Sequence, residues 1–197
     1  MNEITLRGFL RDIEYSHNVG DIEYEKANLI CPGINGKEDD LISLRYKKFV
    51  NKYKEGDFVE ITGNLRSYSH RTNTTNKVEI YVFTYFDLPE EFGNNVKLDG
   101  RICKMDNLHY TKNNKPYIHF ILANNIFTNN NKKINSYIPC TAYGEQAEII
   151  SSLNVSDFIV INGEFHSHTF KKKCDNNEVE FRLAHEVIID KVKKEDN

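Results

Sequence analysis

Residues 56–68 read GDFVEITGNLRSY, and residues 156–168 read SDFIVINGEFHSH. At an offset of 100, Asp57 aligns with Asp157, Phe58 with Phe158, Val59 with Ile159, Ile61 with Ile161, Gly63 with Gly163 and Ser67 with Ser167. Apolar residues alternate with polar ones through both stretches, the period-two signature of a strand with one buried face. Other segments follow in the same order. Ile4-Thr-Leu-Arg-Gly8 matches Val96-Lys-Leu-Asp-Gly100, Tyr46 matches Tyr143, and Val78-Glu-Ile-Tyr-Val82 matches Val179-Glu-Phe-Arg-Leu183. Four collinear matches predict a duplication, whereas a solenoid needs shorter units and more copies.

The chain has 197 residues, enough for two domains of roughly 100 each. A break falls over 87–95, where Pro89, Gly93 and the acidic pair Glu90-Glu91 interrupt any regular element. The expected division is a first domain over 1–88, a linker over 89–94, a second domain over 95–191 and a short polar tail over 192–197.

The second unit reads as three strands, a helix and two strands. Val96, Leu98, Gly100 and Ile102 mark the first strand. Pro116 to Asn125 is the second, with Tyr117, His119, Ile121 and Ala123 on one side and Ile118, Phe120 and Leu122 on the other. A polar loop over Thr128 to Asn135 leads to a third strand, Ser136 to Tyr143. Gly144 to Leu153 has helical spacing through Ala147, Ile150 and Leu153. Asp157 to Phe170 and Val179 to Ile189 complete the unit. Five strands with a helix between the third and fourth is the order of an OB-fold, a small Greek-key barrel. The first unit repeats it, with a helix expected over Tyr46 to Tyr53. The fold class is therefore all-β with one short helix per domain, in two tandem five-stranded OB barrels.

The second unit resembles the bacterial single-stranded DNA-binding protein (SSB) family. The resemblance is carried by Leu98-Asp-Gly-Arg-Ile102, His109-Tyr-Thr-Lys112, His119-Phe-Ile-Leu-Ala123, Ile138-Pro-Cys-Thr-Ala-Tyr-Gly144, Gln146-Ala-Glu-Ile149, Val160-Ile-Asn-Gly-Glu-Phe165 and Glu186-Val-Ile188. It implies non-sequence-specific binding of single-stranded DNA in replication, recombination or repair, without catalysis or cofactor. It places base-stacking aromatics at Phe127, Tyr137, Tyr143 and Phe170. Tyr110 in the second unit, and Tyr46 and Tyr68 in the first, join that set. In the first unit Asp40 stands at the place of Tyr137 and His70 at that of Phe170.

Strand parity supports the assignment independently. Tyr137 and Tyr143 share one face of a regular strand, while Ile138, Cys140 and Ala142 take the other. On the fourth strand Ile159, Ile161 and Phe165 read as core, and Glu164, His166, His168 and Phe170 as outward. Stacking needs only a flat π-face, so Phe and Tyr serve where the family often has Trp. Phosphate contacts are expected from Arg101, Lys104, Lys112, Lys115, Lys171, Lys172, Lys173 and Arg182, and in the first unit from Arg7, Arg11, Arg45, Lys47, Lys48, Arg66 and Arg71.

The composition bounds the other readings. At 39% apolar and 28% charged, with 11 Tyr and 12 Phe, the chain reads as a globular, strand-rich protein. A net charge of −3 argues for a local basic groove rather than a basic surface throughout. Cys31, Cys103, Cys140 and Cys174 lie far apart and read as reduced thiols, not as a zinc site. His166 and His168 with Cys174 lack a fourth ligand at suitable spacing. No P-loop, H-E-x-x-H or dinucleotide turn is present in the sequence. No stretch has the length of a signal peptide core or a membrane span, so a cytoplasmic protein is expected. The family's acidic C-terminal tail has no counterpart in Lys191-Val-Lys-Lys-Glu-Asp-Asn197, which suggests a specialised paralogue of a phage or mobile element. Two units per chain would reach the family's usual four OB folds as a homodimer. Two other functions stay open: a protein-interaction adaptor of replication restart, and an RNA-binding OB protein.

Overall fold

A computed structural model describes residues 1–33, 37–48, 53–71, 76–84, 93–127, 132–173 and 179–195, and leaves the side chains at 70, 71, 76, 77 and 173 undescribed. In chain order the strands are β1 (Asn2–Val19), β2 (Ile22–Cys31), β3 (Asp40–Lys47), β4 (Phe58–Arg71), β5 (Asn76–Thr84), β6 (Asn95–Met105), β7 (His109–Tyr110), β8 (Pro116–Phe127), β9 (Lys133–Tyr143), β10 (Phe158–Lys173) and β11 (Val179–Lys194). The helix α1 (Glu145–Ser151) lies between β9 and β10. β11 continues through residues 192–194, which the sequence reading had placed in the tail.

The ladders close into two barrels. In the first, β1 pairs with β2, β2 with β3, β3 with β5, β5 with β4, and β4 with β1. In the second, β6, β8, β9, β11 and β10 close in the same cyclic order. In each, the third strand pairs parallel with the fifth. This is the Greek-key connectivity of the OB-fold. Inward residues of every strand are fully buried, among them Leu10, Leu29, Leu44, Ile61 and Val82 in one barrel and Ile102, Leu122, Ile138, Ile161 and Val187 in the other.

Hydrogen-bond register makes the duplication quantitative. Gly63 pairs with Ile4, and Gly163 pairs with Val96. Leu29 faces Ile42, and Leu122 faces Ile138. The loops repeat as well. Asp57 Oδ2 accepts from Lys54 N at 2.9 Å, and Asp157 Oδ2 accepts from Asn154 N at 2.9 Å. Gly8 and Gly100 are equivalent: a Cβ there would meet the carbonyl oxygen of Ile30 at 2.3 Å or of Ala123 at 2.4 Å. Backbone passes too closely at that barrel corner for any side chain.

The same register corrects two sequence matches. The third strands align at an offset of 96, with Leu41 equivalent to Tyr137 and Ile42 to Ile138, because Tyr24 pairs with Lys47 as Tyr117 pairs with Tyr143. Tyr46 is thus equivalent to Ala142, not Tyr143. It is only 2% exposed and belongs to the core. A one-residue slip turns every side chain to the other face, and the shared tyrosine disguised that slip. Tyr46 and Lys47 are also strand rather than helix. The rest of the helix expected over Tyr46 to Tyr53 falls mostly outside the described residues. The fifth strands align at an offset of 105: Leu65 pairs with Val82 and Phe165 with Val187. The pentamer match at 101 kept the alternation of in and out, since it errs by an even number, and so looked sound.

The barrels are joined edge to edge. β1 and β6 pair antiparallel, with Asn2 opposite Leu98 and Ile4 opposite Val96. Ile4 and Val96 are themselves equivalent positions, so a pseudo-twofold axis passes between them. Contacts away from the axis come in mates. Asn2 brackets Leu65, its Nδ2 donating to the carbonyl at 2.7 Å and its Oδ1 accepting from the amide at 2.8 Å. Asn94 does the same to Phe165 at 2.7 and 2.8 Å. Ser67 Oγ accepts from Tyr137 N at 2.7 Å, and Ser167 Oγ accepts from Leu41 N at 2.8 Å. Asn2 also donates to Asn124 Oδ1 at 2.7 Å, linking the barrels through a buried amide.

The junction at Asp40 also breaks the symmetry. Asp40 of the first barrel meets His166 Nδ1 at 2.8 Å and accepts from Ser167 N at 2.6 Å. Burial alone would raise the Asp40 carboxyl, but the bonds from His166 and Ser167 outweigh it and leave it lowered. The Asp40 bond holds the His166 imidazole above its ordinary value against a smaller opposing effect of burial, and Glu164 adds to the rise.

Replacing Tyr46 by Ala should cost about 3–5 kcal/mol of stability, as for other buried aromatics, whereas Tyr143→Ala should cost far less; denaturant melts compare the two. The Asp40–His166 pair gives a signed pH dependence. The raised histidine contributes stability that is present below about pH 6.5 and fades as pH rises through its folded value. The lowered carboxyl contributes above about pH 4, and its share is lost as pH falls through its folded value. Asp40→Asn should therefore lose about 1–3 kcal/mol near pH 6, and the gap to the unmodified chain should narrow by pH 9 in parallel urea titrations.

Candidate nucleic-acid interface

The outer face of β8 and β9 is set by parity. Odd-numbered residues of β8 and β9 point away from the core, since Ile118, Phe120, Leu122, Ile138, Cys140 and Ala142 point into it. Across this face Tyr117 lies opposite Tyr143, Ala123 opposite Tyr137, and Phe127 opposite Lys133. From Tyr117 to Phe127 the face runs about 33 Å at strand rise. Phe127 is 70% exposed and Tyr137 51%.

Aromatic rings cluster at the Tyr143 end. Tyr117 sits 6.0 Å from Tyr143, 5.5 Å from His109 and 5.4 Å from His119 between ring centroids. Lys115 Nζ lies 5.4 Å from the Tyr143 ring, and Tyr110 beside it is 59% exposed. Partial burial raises the Tyr143 phenol above its ordinary value, with Glu186 and Tyr117 adding to the effect. The ring therefore stays neutral near any phosphate. The opposite border is the β10–β11 hairpin, where Phe170, Phe181 and Leu183 are exposed and Lys171 Nζ lies 5.5 Å from the Phe181 ring.

A cavity of about 180 Å³ opens at the centre of the face, lined by His119, Ile121, Pro139, Thr141 and Glu186, with Lys104 and Asp106 at its rim. His119 Nδ1 lies 2.7 Å from Thr141 Oγ1, Thr141 Oγ1 donates to Glu186 Oε2, and His168 Nδ1 lies 3.3 Å from Glu186 Oε1.

The basic residues expected from sequence divide into two groups. Lys112, Lys115, Lys171 and Lys172 are exposed. Several others are engaged. Arg101 donates to the Ser156 carbonyl at 2.8 Å, Lys104 lies 3.9 Å from Asp106, and Arg182 is held by Glu180 at 2.7 Å. Arg45 bonds Glu79 at 3.1 Å and lies 4.3 Å over the Tyr81 ring and 5.9 Å from that of Tyr68. Arg66 lies 3.8 Å over Phe83, and Lys48 bonds Glu23 at 2.6 Å. Lys47, Arg7 and Arg11 are exposed. The side chains of His70, Arg71 and Lys173, and all of Cys174, lie outside the described residues.

On the equivalent face of the first barrel, Lys47 stands for Tyr143, Leu41 for Tyr137, Lys26 for His119 and Arg45 for Thr141. Only the His17–Tyr24 stack, 5.0 Å between centroids, repeats the His109–Tyr117 contact. Lys26 is paired to Glu14 at 2.9 Å. Sequence reading missed Tyr117, His109 and His119 as part of the face. The signal for Tyr117 and His119 was the parity already noted on β8, once Ile118, Phe120 and Leu122 are assigned to the core; His109 lies on β7 and joins the face through its ring contact with Tyr117.

Burial pushes the Cys31 thiol up to about 12, with Asp40 and Asp39 adding to it, and raises Cys140 further. Among the described residues no His, Cys, Asp and Glu cluster could hold a metal ion, and no helix is long and apolar enough to cross a membrane.

Two closed OB barrels, one carrying an exposed aromatic face bordered by lysines, define an oligonucleotide-binding class of protein. The profile of the Single-strand binding protein family matches residues 93–194, just over half of the chain, and the chain belongs to that family. The family is a non-catalytic, single-stranded DNA-binding one. A deletion mutant of the single-stranded DNA binding protein from Thermus aquaticus superposes with a TM-score of 0.74 at 18% identity, over 100% of this chain and 95% of that one. The wild-type protein superposes with a TM-score of 0.74 at 17% identity, over 100% of this chain and 94% of that one. At such identity the likeness is one of fold. No curated protein matches the sequence.

Proposed function

We propose that the chain binds single-stranded DNA non-sequence-specifically, chiefly through the second barrel, in replication, recombination or repair. The observation that carries this is the β8–β9 face. Tyr117, Tyr143, Tyr137 and Phe127 are aligned outward in register on it, with exposed lysines at both borders. An exposed aromatic costs hydrophobic free energy that a stacked base returns. Bases stack on Tyr143, Tyr137 and Phe127, with Tyr110 and Phe170 at the borders. Phosphates meet Lys112, Lys115, Lys171 and Lys172, exposed cations at the borders of the aromatic face.

The first barrel contributes less. Arg45, Lys26 and Lys48 are paired with acids there, and Tyr46 is buried. Tyr68 is exposed and can add a contact at the border. The division near 89–94 into two folding units, assembly of two chains into a four-barrel particle, and a cytoplasmic location belong to the same proposal.

Replacing Tyr137, Tyr143 and Phe170 together by Ala should weaken binding to oligo-dT by about 100-fold or more, at about 1–3 kcal/mol per stacked base. Fluorescence anisotropy reads this, and unchanged affinity would end the assignment. Four phosphate contacts predict a slope of about −3 in log K against log salt, and Lys112→Gln with Lys115→Gln should flatten it by about 1.4.

A further inference from the structure

The carboxylate of Glu186 is out of place on a surface meant for phosphates. It lies at the floor of the central cavity, side chain 19% exposed, between the two stacking ends of the β8–β9 face. We infer that this cavity is a base-reading pocket, which takes one nucleobase bearing an exocyclic amino group, cytosine above all, and discriminates against thymine. The inference rests on the single-stranded DNA reading above and refines it.

The hydrogen bonds decide what the pocket offers. Thr141 gives its only proton to Glu186, so toward His119 it can act only as acceptor. His119 must then donate from Nδ1, which leaves Nε2 of the neutral ring as an acceptor. Glu186 is acceptor-only, and each of its oxygens has a second lone pair beyond its present partner. Asp106 at the rim is an acceptor as well. The polar groups facing the cavity are thus acceptors, apart from Lys104 at the rim, while Ile121 and Pro139 give apolar walls.

An acceptor-lined, partly apolar slot selects a flat ligand with N–H donors on its edge. The amino group of cytosine donates to a carboxylate, as in the pairing of Glu or Asp with that base in duplex readout. Thymine presents a carbonyl oxygen at the same position and is repelled. Position in the track agrees. Thr141 is two residues from Tyr143, and Pro139 two from Tyr137, about 7 Å in each direction along the strand. A base in the cavity would therefore be a neighbour of bases stacked on either ring. The first barrel has a cavity of about 350 Å³ at the equivalent positions, but there Arg45 and Lys26 stand for Thr141 and His119 beside Glu14 and Glu79, so its lining mixes cations with acids and the acceptor set belongs to the second barrel.

The test is paired titration of the full chain with oligo-dC and oligo-dT of equal length, at slightly alkaline pH where dC strands stay single. The unmodified chain should prefer oligo-dC by about tenfold, the size of one hydrogen bond to a charged group. Glu186→Ala should bring the dC-to-dT ratio close to one and raise oligo-dT affinity slightly, as an acid leaves a phosphate-facing surface. A strand of N4,N4-dimethylcytosine, which stacks but has no amino proton, should bind the unmodified chain no better than oligo-dT. Equal binding of dC and dT by the unmodified chain, or a ratio that survives Glu186→Ala, overturns the pocket while leaving single-stranded DNA binding intact. No binding to any of the strands overturns the function itself. Circular dichroism melts of Glu186→Ala confirm that the fold is kept, and the dimethylated strand tests the pocket without any substitution.

Discussion

The antiparallel pairing of Ile4 with Val96 fixes where everything else sits. Those residues are equivalent positions in two copies of one barrel, so pairing them places a twofold relation inside a single chain. The seam is held by backbone bonds at its centre and by side-chain clamps on either side, Asn2 on Leu65 and Asn94 on Phe165. An amide that brackets one backbone N–H and C=O satisfies two groups that a strand end would otherwise leave exposed. Ser67 and Ser167 then tie each fourth strand to the third strand of the opposite barrel. The backbone of β9 is thereby tied to the first barrel while its outer face stays open, and the aromatic track gains a rigid support.

Within that frame the two copies obey different constraints on their two faces. Inward positions keep apolarity, as in Leu10 and Ile102, Leu29 and Leu122, and Val82 and Val187, while volume is redistributed among them: Tyr46 stands for Ala142 and Ala27 for Phe120. Outward positions diverge in kind. Where one barrel shows Tyr143, Tyr137 and His119, the other shows Lys47, Leu41 and Lys26. Core packing constrains polarity and total volume rather than each side chain, while a solvated face tolerates almost any change. Asp40 illustrates the freedom. Its counterpart Ser136 is buried, yet the aspartate found a histidine partner across the junction and became a contact that the twofold does not repeat.

Strand order, duplication and the side of β9 that carries aromatics could all be read from period-two alternation, because burial writes that alternation directly into the sequence. What could not be read was anything that depends on phase between distant strands. Matching Tyr46 to Tyr143 cost one residue of register and moved a core tyrosine to the surface. Matching Val78 to Val179 cost four residues and stayed invisible, because an even error preserves the alternation. Likewise, sequence shows that Arg45 and Arg66 are cations but not that Glu79 and Phe83 stand beside them. Pairing is decided by which strands become neighbours, and closure of a barrel brings together residues 34 and 17 positions apart with equal ease.

The asymmetry between barrels also bears on how affinity can be built. Stacking on exposed rings adds free energy base by base and is indifferent to sequence, so a face of four rings gains by length rather than by letter. A carboxylate set among those rings works against the phosphates at every register except one that places a donor-bearing base over it. Such a group lowers binding on average and sharpens it at chosen positions. It sits in a partly buried network with Thr141, His119 and His168 rather than at the solvated edge, so its oxygens face what enters the cavity and not the strand passing over it.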